Sequence, residues 1–191
     1  MKILLHSLTA LIFTASALLA ADDSPPKGWF APPSTTYQRG VDATAVREGR
    51  PSAFIKCIAT EPQNFGTLLQ SFSAEDFKGK RVRFRGWMKS DAVLSAATLW
   101  MRLDDAANRP LILDNMMDRP LKGTSDWREM SIVMDVPQSA DSIYIGMLMS
   151  GTGQAWMNGL VFEIVDSTVP VTKTVTVQNR PRLPENLDLT K

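Results

Sequence analysis

The side chains best suited to chemistry lie between residues 99 and 127. Trp100, Arg102 and Asp104 recur at every second position, and Asp114, Asn115, Asp118 and Arg119 crowd the loop that follows. An indole beside a guanidinium and a carboxylate offers a surface that stacks on a polar ring and hydrogen-bonds its hydroxyls. Arg85 and Trp87 alternate in the same way upstream, and Gln70 adds an amide. Gln70, Arg85, Trp87, Trp100 and Arg102 are therefore expected to form one ligand face. The competing reading is that they cover a sheet beneath a loop, or that Trp100 packs in the core. Asp114, Asn115, Asp118 and Arg119 suit a polar rim for a ligand or cation. They equally suit loop chemistry, where Asp and Asn accept backbone N–H groups and Arg119 pairs with a carboxylate; that second reading is favoured. Asp104 and Asp114 form a candidate carboxylate pair, but glycoside hydrolysis needs a set separation that the sequence does not define.

Other chemistries are excluded by composition. The one His, His6, lies in an apolar run over 3–19 that follows Lys2 and precedes Ala20 and Ala21. This pattern reads as a secretory signal peptide over 1–21, which implies a periplasmic or secreted protein. A membrane anchor is the alternative, although the run is short for a span and has no basic stop beyond it, so no stable membrane insertion is expected after cleavage. A mature chain without His has no Ser-His or Cys-His nucleophile pair and no His-ligated metal. No cofactor is expected, and the protein reads as a non-enzyme. Cys57 has no partner for an internal disulfide and, within an apolar strand, is expected to be buried. With 21 Lys+Arg against 20 Asp+Glu and no basic stripe, nucleic acid is not an expected partner. The methionines suit core filling better than soft-metal binding, with Met116-Met117 the one pair in a loop.

These residues need a β scaffold to position them. A Pro-rich leader over 22–38 reads as flexible, becoming ordered near Trp29 or Tyr37. Strands are expected over 37–46, 52–59, 67–73, 81–90, 99–104, 111–116, 127–136, 142–150 and 154–165, with a connection over 91–97. Residues 81–90 alternate clearly: Val82, Phe84, Gly86 and Met88 on one side, Arg81, Arg83, Arg85, Trp87 and Lys89 on the other. No stretch shows a long helical period. About eight to nine short antiparallel strands with regular turns indicate an all-β jelly-roll β-sandwich over 39–166. The tail over 167–191 reads as extended: 169–177 alternates like an edge strand interrupted by Pro170, and 178–191 is read as mobile.

Residues 40–165 resemble a family of stand-alone jelly-roll domains in the galactose-binding-domain-like, carbohydrate-binding-module-like superfamily. The resemblance is carried by FGTLLQSF from Phe65, FKGKRVRFRGWMK from Phe77, LWMRLD from Leu99, LDNMMDRPLKGTSDW from Leu113, VPQSADSIYIGMLMSGTGQAWM from Val136 and VFEIVD from Val161. It implies the jelly-roll fold and a binding role. Such domains occur alone, beside transcriptional regulators and beside peptidases. Similar domains often close with an Asp-Asp pair that helps to hold a structural calcium; Asn158-Gly159 stand there instead, which removes the carboxylates calcium prefers.

The expected function is that of an exported, non-catalytic module. It binds a carbohydrate or similar polar small molecule on the face bearing Trp87, Trp100 and Arg102. The alternative is a structural or protein-interaction module, whose tail adds a strand to another chain.

Overall fold

Alternation through 81–90, 99–104 and 142–150 sends every second side chain inward, and the chain folds accordingly. The computed structural model describes residues 23–173 and 175–176. Its strands are β1 (Tyr37–Arg47), β2 (Arg50–Cys57), β3 (Phe65–Ser73), β4 (Arg81–Asp104), β5 (Pro110–Asp114), β6 (Leu121–Asp135), β7 (Ser142–Ser150), β8 (Gln154–Val165) and β9 (Val175–Thr176). A single 3-10 turn, Glu75–Phe77, sits between β3 and β4. Every strand pair is antiparallel. The fold is the expected jelly-roll sandwich.

One hydrogen-bonded sheet curls into two layers. The first runs β1-β2-β8-β4-β6 and the second β3-β7-β4-β5-β9, so β4 belongs to both. The connection expected over 91–97 is instead part of this one strand of 24 residues. Register shifts at Met88/Ser90, Ser90/Val93 and Val93/Ala97, with Ala92 at φ 49, bend it from one layer into the other. Val82, Phe84 and Met88 enter the core from the first layer; Leu99, Met101 and Leu103 enter from the second. Each such side chain stabilises the fold by roughly 1.5–3 kcal/mol. Met130, Met134, Met147, Met149 and Met157 fill the core as expected, while Met117 is exposed. Cys57 is half-buried rather than buried, because it ends β2 with its thiol turned to the Ala59 carbonyl at 3.3 Å.

The described parts of both flanking segments dock on the sandwich. The Pro-rich leader packs against the sandwich. Phe30 and Leu69 exchange backbone hydrogen bonds of 2.7 and 2.9 Å, because the edge of β3 supplies partners that prolines cannot supply to one another. After β8, Arg81 Nη1 donates to the Ser167 and Val169 carbonyls at 2.5 and 2.8 Å. Thr172 N donates to the Val133 carbonyl of β6, and β9 pairs with β5. This part of the tail adds its strand to its own chain. The expected signal segment with His6, and the tail beyond 176, lie outside the described residues. Among the described residues no helix is long and apolar enough to cross a membrane.

Candidate functional site

Trp100 points outward from β4 in the second layer, yet it is only 8% exposed. It lies flat because its neighbour on β7 is Gly146: a Cβ there would sit 2.8 Å from the indole nitrogen and 2.5 Å from the Leu68 carbonyl oxygen. The indole Nε1 donates to Thr67 Oγ1 at 3.1 Å, and that hydroxyl donates to the Met147 carbonyl at 2.9 Å. The ring is thus locked as the floor of a cleft of about 450 Å³. Phe65, Leu69, Leu113 and Leu148 form apolar walls around it, and Arg102 and Asn115 bring polar ends. Phe65 is 55% exposed, a free aromatic face at the rim.

Arg102 is held from two sides. Its Nε and Nη2 each donate at 2.8 Å to the buried carboxylate of Asp104, and its guanidinium stacks on Tyr144 at 4.6 Å. A bidentate pair with a ring beneath it fixes the plane of the guanidinium. Its Nη1 has no partner among the described residues and remains a donor for the cleft. Asn115 accepts from Met117 N through Oδ1 at 3.3 Å, which leaves its amide nitrogen free to donate. The cleft therefore offers an aromatic and aliphatic surface with preset donors, the usual composition of a small-molecule site.

The other expected residues separate from this group. Arg85 and Trp87 lie on the outer side of the first layer, across the core from Trp100, because β4 changes layers between them. Arg85 pairs with Glu129 at 2.9 Å and with Glu163 at 3.1 Å. Trp87 is covered by the Arg47 guanidinium at 3.9 Å. Gln70 has the inward parity of Leu68 and donates to the Gly28 carbonyl at 3.2 Å, away from Thr67 and Leu69. The single face expected over both halves of β4 is thus corrected to the second half alone. Asp114 is 3% exposed and structural: it accepts from Met116 N, Arg119 Nη2 and Thr172 Oγ1 at 2.9, 2.6 and 2.7 Å. Asp104 and Asp114 are each taken up by a guanidinium and form no catalytic pair. Phe65, Thr67, Leu69 and Leu113 had no signal as site residues, since nothing in an alternating strand says which layer it joins.

Asn158 explains the missing acidic pair. Its amide nitrogen donates to the Arg50 and Pro51 carbonyls and to Ser52 Oγ at 3.1, 3.2 and 2.8 Å. A donor directed at three oxygens does not fit calcium, which needs several oxygen ligands turned toward it.

No family model matches the chain. It is 40% identical over 149 residues to YbfP of Bacillus subtilis (strain 168), an uncharacterized HTH-type transcriptional regulator; the match takes in 76% of this chain and 50% of the regulator. The chain thus spans about half the length of that curated relative. Among solved structures it is similar to the C-terminal family 22 carbohydrate binding module of Clostridium thermocellum Xyn10B, at 12% identity and TM-score 0.52, covering 75% of this chain and 89% of the module. It is also similar to a family 16 carbohydrate binding module, at 14% identity and TM-score 0.51, covering 72% and 91%. A third is the CBM22-1 xylan-binding domain of Paenibacillus barcinonensis, at 15% identity and TM-score 0.50, covering 77% and 92%. The chain therefore shares the β-sandwich fold of these modules.

Proposed function

We propose that this protein is a non-catalytic module that binds a saccharide in the Trp100 cleft. The observation that carries the reading is an aromatic floor locked by Thr67 beside two preset donors, Arg102 Nη1 and the Asn115 amide. A sugar ring presents apolar C–H surface to Trp100 and Phe65 and hydroxyls to those donors. Neutralisation of Asp104 and Asp114 by arginines supports binding without bond cleavage. The Clostridium thermocellum module has cleft amino acids with a role in ligand binding, and the Paenibacillus domain is xylan-binding, which lends support to the same use here. The relation to half of a regulator suits a ligand-reading unit that works alone or beside other domains. The sequence of residues 1–21 supports export, with this segment removed as a signal peptide.

The test is tryptophan fluorescence of the purified protein titrated with a panel of neutral mono- and oligosaccharides. A saturable change is expected that weakens about tenfold in Asn115→Ala, at unchanged melting temperature. Trp100→Phe should change the signal while Trp87→Ala should not. No saturable change across the panel would sink the saccharide reading and leave the protein-interaction module in its place.

A further inference from the structure

A second cavity, of about 540 Å³, adjoins the cleft and shares Pro32, Phe65 and Thr67 with it. It opens at the edge of the sandwich, where β1 faces β3 under the segment 32–36. Beside the apolar Pro32, Pro33 and Phe65, its lining brings Thr35, Thr36, Gln63, Asn64 and Arg39, and it contains no Asp or Glu among the described residues. Arg39 is the unusual member. Among the described residues its one partner is the Pro32 carbonyl, reached by Nη2 at 2.5 Å, and its Nε is shielded from water with nothing to bond. Desolvation by burial pulls its pKa below the ordinary arginine value. Among the described residues, every other arginine that is not exposed has a carboxylate within ion-pair distance. Arg50 and Arg128 also lack one, but both are exposed to water.

A partly buried guanidinium without a counter-ion is unfavourable, since the protein has given up its hydration and returned no negative charge. An anion supplied by a ligand would reverse that balance. The guanidinium fork matches carboxylate and sulfate oxygens in pairs. The threonine hydroxyls and the Gln63 and Asn64 amides supply further donors around it.

We infer that this cavity is an anion subsite continuous with the cleft, and that the protein's ligand is an acidic saccharide whose carboxylate or sulfate sits on Arg39. The inference extends the cleft reading above and rests on it for the neighbouring sugar units. A ligand stacked on Phe65, which borders both cavities, reaches Arg39 with its next unit.

The experiment compares three probes on the purified protein: trigalacturonate, its fully methyl-esterified form, and a sulfated galactose trisaccharide. At least one charged probe should bind about tenfold more tightly than the ester, and added salt should weaken it. Arg39→Gln should remove that gap and leave ester binding within about twofold, while Arg39→Lys should keep part of the gap. Which charged probe binds more tightly identifies the anion. Equal affinity for all three, a gap that survives Arg39→Gln, or no saturable binding by either charged probe overturns the inference. Asn115→Ala separates this outcome from that of the cleft. Charged-probe binding that depends on Arg39 but ignores Asn115 would uphold the subsite and overturn the cleft. Ester binding that depends on Asn115 but shows no charge preference would do the reverse.

Discussion

The two outer faces of the sandwich use the same side chains to opposite ends. On the first layer, Arg81 pairs with Asp135, Arg83 with Glu163, and Arg85 with both Glu129 and Glu163. Its indoles are occupied too: Trp87 lies under Arg47, and Trp156 donates to Asp42 Oδ2 at 2.8 Å. On the second layer, Trp100 floors an open cleft and Arg102 keeps one nitrogen without a partner among the described residues, while Arg39 of β1, at the edge beside that cleft, has no carboxylate partner among the described residues. A count of tryptophans and arginines would favour the first face. What separates them is how many donors remain after the protein has satisfied itself.

The largest expected contrast is between the two indoles. Trp100→Ala removes a nearly buried ring and should cost about 3 kcal/mol or more in urea unfolding. Trp87→Ala, on a half-exposed ring, should cost about 1 kcal/mol. Equal losses would erase the distinction between the faces. The next contrast is between two glycines of β4 and β7. A Cβ at Gly146 meets the Leu68 carbonyl, part of the backbone, at 2.5 Å, so Gly146→Ala should cost about 2–3 kcal/mol. At Gly86 the obstacle is Leu160 Cδ2 at 2.4 Å, the end of a side chain that can turn away, and the cost should stay near 1 kcal/mol. Thermal melts of both variants check this.

A smaller effect separates the ion pairs. Asp104 is 0% exposed, so Asp104→Ala leaves Arg102 uncompensated; with Arg102 partly in water, the loss should be about 1–2 kcal/mol. The smallest effect belongs to the ladder of the first layer. Hydrogen bonds from Arg83 and Arg85 hold the Glu163 carboxyl below the usual carboxylate range. A depressed folded-state pKa means stabilisation that is present above the unfolded value, about pH 4.3, and is lost as pH falls through the folded one. Melting temperature should therefore fall on acidification below that value. Glu163→Gln should flatten the fall and change stability at neutral pH by well under 1 kcal/mol.

Fold and site were not equally legible in the sequence. Alternation within 81–90 and within 99–104 revealed two correct inward rows, and that sufficed for a sandwich. It could not relate the rows to each other. Parity carries along a strand only while the register is regular, and three irregularities with a left-handed Ala92 lie between Trp87 and Trp100. The expected ligand face was therefore split between layers. Asp114 was better read, because an acid two residues before a turn N–H has a local explanation. Arg39 carried no local sign. A missing counter-ion is a property of everything around a residue, and the acids that neutralise other arginines here come from as far away as Glu163, opposite Arg83.

The docking of the two chain ends has a consequence for how molecules of this protein meet. A sandwich of two open layers exposes rows of unpaired N–H and C=O groups at its margins, and such rows template the addition of foreign strands. Phe30 covers the β3 edge at Leu69, β9 pairs with Ile112 and Leu113 of β5, and Thr172 caps Val133 on β6. These flanking segments thus cover part of the strand margins, and removing either would expose backbone groups that could pair with another chain.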